Sequence, residues 1–134
     1  MATVIAHIRV VEGAEARFES IIRDLYRSTH ETEPAVRRYE YWRGAEPREY
    51  CALIAYDDFR GFITHQTSDH HESASPDLRQ VIESLRLEWV DPVAGASDLP
   101  STEMQRALPD ADDLTRRYTE RFAAEIASWW LAVR

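Results

Sequence analysis

From Thr3 to Val11 the chain alternates, with Val4, Ala6, Ile8 and Val10 on one face and Ile5, His7, Arg9 and Val11 on the other. A period of two sustained this long predicts a β-strand with one face on a core, and Gly13 ends it. From Ala14 to about Thr32 the period becomes helical: Phe18, Ile21, Ile22, Leu25 and Thr29 make one stripe, and Glu19 precedes Arg23 by one turn on the outer face. Pro34 closes this helix, because the residue before a proline avoids helical angles. Val36 to Arg43 and Glu49 to Tyr56 read as two more strands, joined through the turn residues Gly44-Ala45-Glu46-Pro47 into a hairpin. The second of these is apolar on both faces, as a strand between two packed layers must be.

A helix carrying Phe59, Phe62 and Ile63 inward follows the third strand. Ser75-Pro76-Asp77 then predicts the start of a separate short helix, with serine as cap and proline at the first helical position; Leu78, Val81 and Ile82 give its buried side. Leu85, Leu87 and Trp89 alternate with Arg86, Glu88 and Val90 in a fourth strand stopped by Asp91-Pro92. This order, over residues 1–92, is that of a ferredoxin-like α+β domain with a four-stranded antiparallel sheet. Its own helices cover one face of the sheet; a second copy of the sheet is the natural cover for the other, which implies a homodimer. Residues 93–109 mix glycine, serine and proline without periodicity and read as a surface linker. Over 110–134, with Asp110 as cap, Leu114, Tyr118, Phe122, Ile126, Trp129 and Val133 recur at helical spacing. They predict an extra C-terminal amphipathic helix whose stripe is buried on its own or the partner subunit.

Composition narrows the function. A net charge of -8 argues against nucleic acid and against an anionic membrane surface, both of which reward clustered positive charge. No run approaches the length of a membrane span and no charged-then-apolar leader precedes the first strand. All sixteen basic side chains other than histidine are arginine, which excludes Schiff-base chemistry through lysine. The single Cys51 has no partner for an intramolecular disulfide, so a reducing cytoplasm fits and a small buried hydrophobe is its expected role.

Chemistry concentrates in Tyr56 to Glu72, where three of the five histidines, His65, His70 and His71, fall within seven residues. His7 lies on the more polar face of the first strand, and His30 and Glu33 sit where the first long helix ends. No metal site is expected. His65 and His70 are five residues apart, about 140° round an ideal helix, and diverge unless the helix ends between them; adjacent His70 and His71 diverge as well. No Gly-rich phosphate loop, dinucleotide fingerprint or G-x-S-x-G elbow is present.

Glu33-Pro34 before the aromatic strand Tyr39-Glu40-Tyr41-Trp42, the acidic strand end Tyr56-Asp57-Asp58, and the run His65-Gln66-Thr67-Ser68-Asp69-His70 together resemble the antibiotic biosynthesis monooxygenase family. These are small dimeric α+β barrels that include quinol monooxygenases. The likeness spans roughly residues 3–92 and leaves the C-terminal helix outside. It implies cofactor-free oxygenation of an aromatic quinol or polyketide-like phenol, the substrate giving up a proton and then reducing dioxygen itself. Such a site needs a base, a donor for the oxyanion and a dry aromatic pocket. The residues that could supply them are His65 as base, His70 as helper and Arg86 as holder of the oxyanion, with His7, Tyr41, Trp42, Phe62 and Trp89 as substrate-binding walls. The first strand has no asparagine and the later helix carries His65 where haem-degrading relatives have tryptophan and histidine, so haem degradation is a poor reading. Isomerase or lyase chemistry on a small carbonyl compound, and a non-catalytic ligand-binding barrel plugged by Trp129 and Trp130, are the other two readings.

Overall fold

The computed structural model describes residues 1–134. Strand β1 (Ala2–Val10) leads into helix α1 (Glu15–Thr32), the hairpin β2 (Val36–Arg43) and β3 (Glu49–Tyr56), helices α2 (Phe59–Gln66) and α3 (Asp69–Val81), and strand β4 (Ile82–Trp89). The sheet order is β2-β3-β1-β4, every pair antiparallel, which is the ferredoxin-like α+β fold. Alternation assigns the two faces. Val4, Ala6 and Ile8 of β1, Tyr50, Ala52 and Ile54 of β3 and Tyr39 of β2 are buried beneath α1 and α2, where Phe18, Leu25 and Phe62 meet them. His7, Cys51 and Arg86 pair across the strands on the opposite face.

Local chemistry sets where the helices break. Asp58 caps α2, its Oδ1 accepting from the Gly61 amide at 2.7 Å, and Ser68 caps α3 by accepting from the His71 amide. The expected helix start at Ser75-Pro76 is therefore corrected: α3 begins seven residues earlier and runs through Pro76. Ser68, with Asp69 and Glu72 in the first turn, is a complete start signal of its own. Inside the helix, Pro76 forgoes only the bond its missing N–H would have given to the carbonyl one turn back.

The C-terminal segment departs from the single helix expected over 110–134. It forms α4 (Asp113–Arg121), capped by Asp112, and a short α5 (Ser128–Leu131). Tyr118 and Phe122 pack against the core, but Trp129 is 67% and Val133 69% exposed, so the stripe is buried only in its first half. Between 122 and 128 the chain turns back, and Arg134 is held by the Asp91 carboxylate and the Thr102 carbonyl, both at 2.7 Å.

Residues 93–109 are likewise more than a surface linker. Thr102 is fully buried; its hydroxyl donates to the Val90 carbonyl at 2.6 Å and accepts from the Thr3 amide at 3.2 Å, while the Glu103 amide reaches the Met1 carbonyl. Thr102→Val keeps the shape and strands both backbone groups, so it should cost about 1–3 kcal/mol in urea-unfolding free energy. A change within 0.5 kcal/mol or so, the usual scatter for a surface site, would show that the segment is not anchored there.

Candidate functional site

The site is built on Glu33, the residue following the last turn of α1. Its side chain is 9% exposed, and three elements converge on it. Tyr56, ending β3, donates its hydroxyl to Oε2 at 2.7 Å; His65, in the last turn of α2, places Nδ1 2.9 Å from Oε1; and His70, in the first turn of α3, brings Nε2 to 2.8 Å from the same oxygen. The divergence expected of His65 and His70 is thus overturned, because α2 ends at Gln66 and the second histidine lies in the first turn of a new helix capped by Ser68. Glu33, His65 and His70 offer ligand atoms within 4.8 Å of one another. Their contacts, at 2.8–2.9 Å, have the length of charge-assisted hydrogen bonds.

An ionised carboxylate only accepts, so the His65 nitrogen facing Glu33 must carry the proton. Nε2 of His65 is then the unprotonated nitrogen, with a lone pair available as a base. Burial by itself would raise the Glu33 pKa, but the hydrogen bond and charge of His65, the Tyr56 hydroxyl and the charge of His70 outweigh it and hold it below the ordinary carboxylate value. Glu33 thereby places a fixed negative charge on the Nδ1 side of the His65 ring.

His65 is 1% exposed and forms part of the wall of a cavity of about 350 Å³ between the sheet and helices α3 and α4. Ala6, Ile8 and Ile54 make the sheet side, with Tyr39 and Tyr41. Leu78 and Ile82, then Tyr118 and Phe122, close the other. Gln66 and His71 stand beside His65, and the Tyr39 and Tyr41 hydroxyls are hydrogen-bonded to each other at 3.0 Å. Burial raises the pKa of both tyrosines and keeps them neutral donors. The size lies within the range of small-molecule pockets, which run from about 300 Å³ upward.

Of the expected site residues, the structure unites His65 and Tyr41 on this cavity and His70 behind it through Glu33. Arg86 is not brought to it. Leu85 and Leu87 take the inward positions of β4, so Arg86 faces out, 62% exposed, and donates to Glu88 at 3.0 Å. His7, opposite Arg86 in the register, also faces out and meets the same Glu88 oxygen at 2.8 Å. Trp42 is 59% exposed on the outward face of β2. Phe62 and Trp89 stack on each other and on Phe59 in the aromatic core instead of lining the cavity. Trp129 and Trp130 do not plug it; Trp130 lines a separate groove against β4.

Two participants were not among the expected site residues. Glu33 stood only as a helix-end residue beside His30 and as part of a family-like dipeptide, although an acid next to Pro34 is held where the chain must turn from helix to strand. His71 was set aside as diverging from His70, yet its ring meets that of His65 edge-on at 4.8 Å.

The chain is a small ferredoxin-like α+β domain that sets a carboxylate-anchored histidine beside a cavity on one face of its sheet. Residues 1–76 match the family model of antibiotic biosynthesis monooxygenases, and the chain belongs to that family. Solved structures with this fold include a Caulobacter crescentus protein assigned to antibiotic biosynthesis monooxygenases, 23% identical, TM-score 0.65, covering 69% of this chain and 89% of that one. They also include one from Mycobacterium tuberculosis, 18% identical, TM-score 0.65, covering 72% and 98%. The chain matches no curated protein. No helix is long and apolar enough to cross a membrane.

His71 makes the stability of the site pH-dependent. Burial, then the charge of His65, lowers its pKa to about 4 from the ordinary 6.5. The unfolded chain therefore binds a proton at this position that the folded one refuses, and stability falls as pH drops from 6.5 through 4, by at most about 3 kcal/mol. His71→Phe should flatten the fall of unfolding free energy between pH 6.5 and 4; a slope equal to that of the unsubstituted protein would refute the buried neutral imidazole.

Proposed function

We propose that this protein is a cofactor-free monooxygenase that oxidises an aromatic quinol or polyketide-like phenol with dioxygen, working as a homodimer in a reducing cytoplasm. The observation that carries the reading is the Glu33-held His65, a residue in the wall of a cavity rich in aromatic side chains. Family membership supports oxygenation as the chemistry. On a phenol that carries an activated methylene, as an anthrone does, His65 Nε2 removes one of the two methylene protons; the electron-rich carbanion reduces dioxygen by one electron, and the radical pair closes to a carbon-bound peroxide. The imidazolium returns the proton to the peroxide. Loss of the remaining hydrogen on that carbon as a proton then expels hydroxide, which leaves as water, and the second oxygen stays as a carbonyl. The imidazole ends as it began. In place of Arg86, the donors for the phenolate oxygen are the Gln66 amide and the Tyr41 hydroxyl, both on the cavity wall. Apolar walls strengthen each of these contacts by excluding water.

The test is oxygen uptake by chelator-treated protein with a panel of quinols and anthrone-like phenols. His65→Ala should lower kcat by about 10²–10⁴, the worth of a positioned base, and Glu33→Gln should lower it by a smaller factor through loss of the anchoring charge. Undiminished uptake in His65→Ala would remove His65 from the reaction. Conversion of a carbonyl substrate without oxygen consumption would favour isomerase or lyase chemistry, and binding without turnover a ligand carrier.

The homodimer is supported by the outward sheet face, where Ile5, Leu53 and Cys51 are only half-buried and Trp42 lies open. Sedimentation should give twice the chain mass, and Leu53→Glu should shift it toward one; a monomer in the unsubstituted protein would overturn the assembly.

A further inference from the structure

The cavity has a third side that the family-matched residues do not supply. The match ends at residue 76, and α4 lies well beyond it, yet Tyr118, Arg121 and Phe122 of α4 are cavity-lining residues. The placement is fixed: the Tyr118 hydroxyl donates to Glu72 Oε1 of α3 at 2.6 Å, and Phe122 packs edge-on against Phe62. With Arg79 of α3, this brings two guanidinium groups to the rim of one cavity.

In a chain of net charge -8, most arginines near an acid are paired with it. These two are not. Arg79 donates only to the Ser75 hydroxyl, at 2.7 Å, and Arg121 lies over the Phe122 ring at 5.1 Å. The carboxylate on the same rim, Glu83, is already held by Arg48 at 2.9 Å and faces Arg9 at 3.6 Å. Glu72 is engaged by Tyr118. The rim therefore presents uncommitted positive charge above an apolar interior that ends in His65. Arginine is also suited to this task, because its planar fork donates to both oxygens of a carboxylate and its face stacks on an aromatic ring.

We infer that the substrate is an anionic fused-ring aromatic, its carboxylate held at the cavity rim by Arg79 and Arg121 and its phenolic end turned toward His65. This rests on the aromatic-substrate reading above and adds the charge and the orientation. It makes α4 part of the substrate site: the extension selects for acids.

A matched pair of unreactive probes, anthraquinone-2-carboxylate and 2-(hydroxymethyl)anthraquinone, separates the two ideas by titration calorimetry on the full chain. At low ionic strength the carboxylate should bind at least about tenfold tighter than the alcohol, and 1 M salt, with a Debye length of about 3 Å, should erase most of that advantage. The double variant Arg79→Gln, Arg121→Gln should bring the carboxylate to the affinity of the alcohol and leave the alcohol unchanged, which also shows that the variant is folded. Arg117→Gln, on the same helix but not on the cavity, should alter neither. Equal binding of the two probes, or an equal effect of Arg117→Gln, would overturn the anionic assignment while leaving the aromatic pocket standing. Binding of neither probe would overturn both.

Discussion

One buried carboxylate holds the site together. Glu33 sits where α1 gives way to β2, and its two oxygens meet Tyr56 from β3, His65 from α2 and His70 from α3. Removing such a charge from water is costly, and an unpaired one would not survive. Here each partner arrives on a different element, so the favourable arrangement exists only when all of them are docked. The break at Ser68 follows from the same requirement: a continuous helix would carry His70 away from Glu33, whereas a fresh N-terminus, capped by the Ser68 hydroxyl, turns it back.

The fold was legible because it rests on periodicity. Val4, Ala6 and Ile8, then Leu85, Leu87 and Trp89, declare their strands in the sequence, and a strand–helix–strand–strand–helix–strand order permits few sheets. His65 was legible as the candidate base from the histidine cluster. The remainder of the site was not, for a definite reason. Alternation says that Arg86 and Leu87 face opposite ways but not which face the helices cover, so Arg86 and His7 were grouped with a cavity on the other side of the sheet. His70 needed the helix break, a choice between the caps Ser68 and Ser75 in which the proline at 76 pointed to the wrong one. The end of α4 at Arg121 carries no breaker, and the chain beyond it is held by Arg134 on Asp91 and Thr102, a contact of long sequence range.

The C-terminal segment extends the architecture without altering it. Thr102 ties the chain to the start of β1 and to the end of β4, and from that anchor α4 is carried across the open side of the cavity. Tyr118 and Phe122 complete an aromatic enclosure whose other walls belong to the ferredoxin-like domain. Enclosure matters because a neutral imidazole and a few hydrogen-bond donors are weak in water and effective only where the dielectric is low.

Three imidazoles crowd around a single negative charge, and this limits what the site can store. Glu33 can balance one proton held on the imidazoles, and it faces His65 and His70 but not His71. His71, buried and beside His65, is held neutral, its Nδ1 without any partner, so it does not compete for that proton. His70 is partly open to solvent, where water can share the stabilisation of a charge; His65 is not, and depends on Glu33 alone. The histidine inside the cavity is the one whose ring the carboxylate fixes in place, and the other two pack against it.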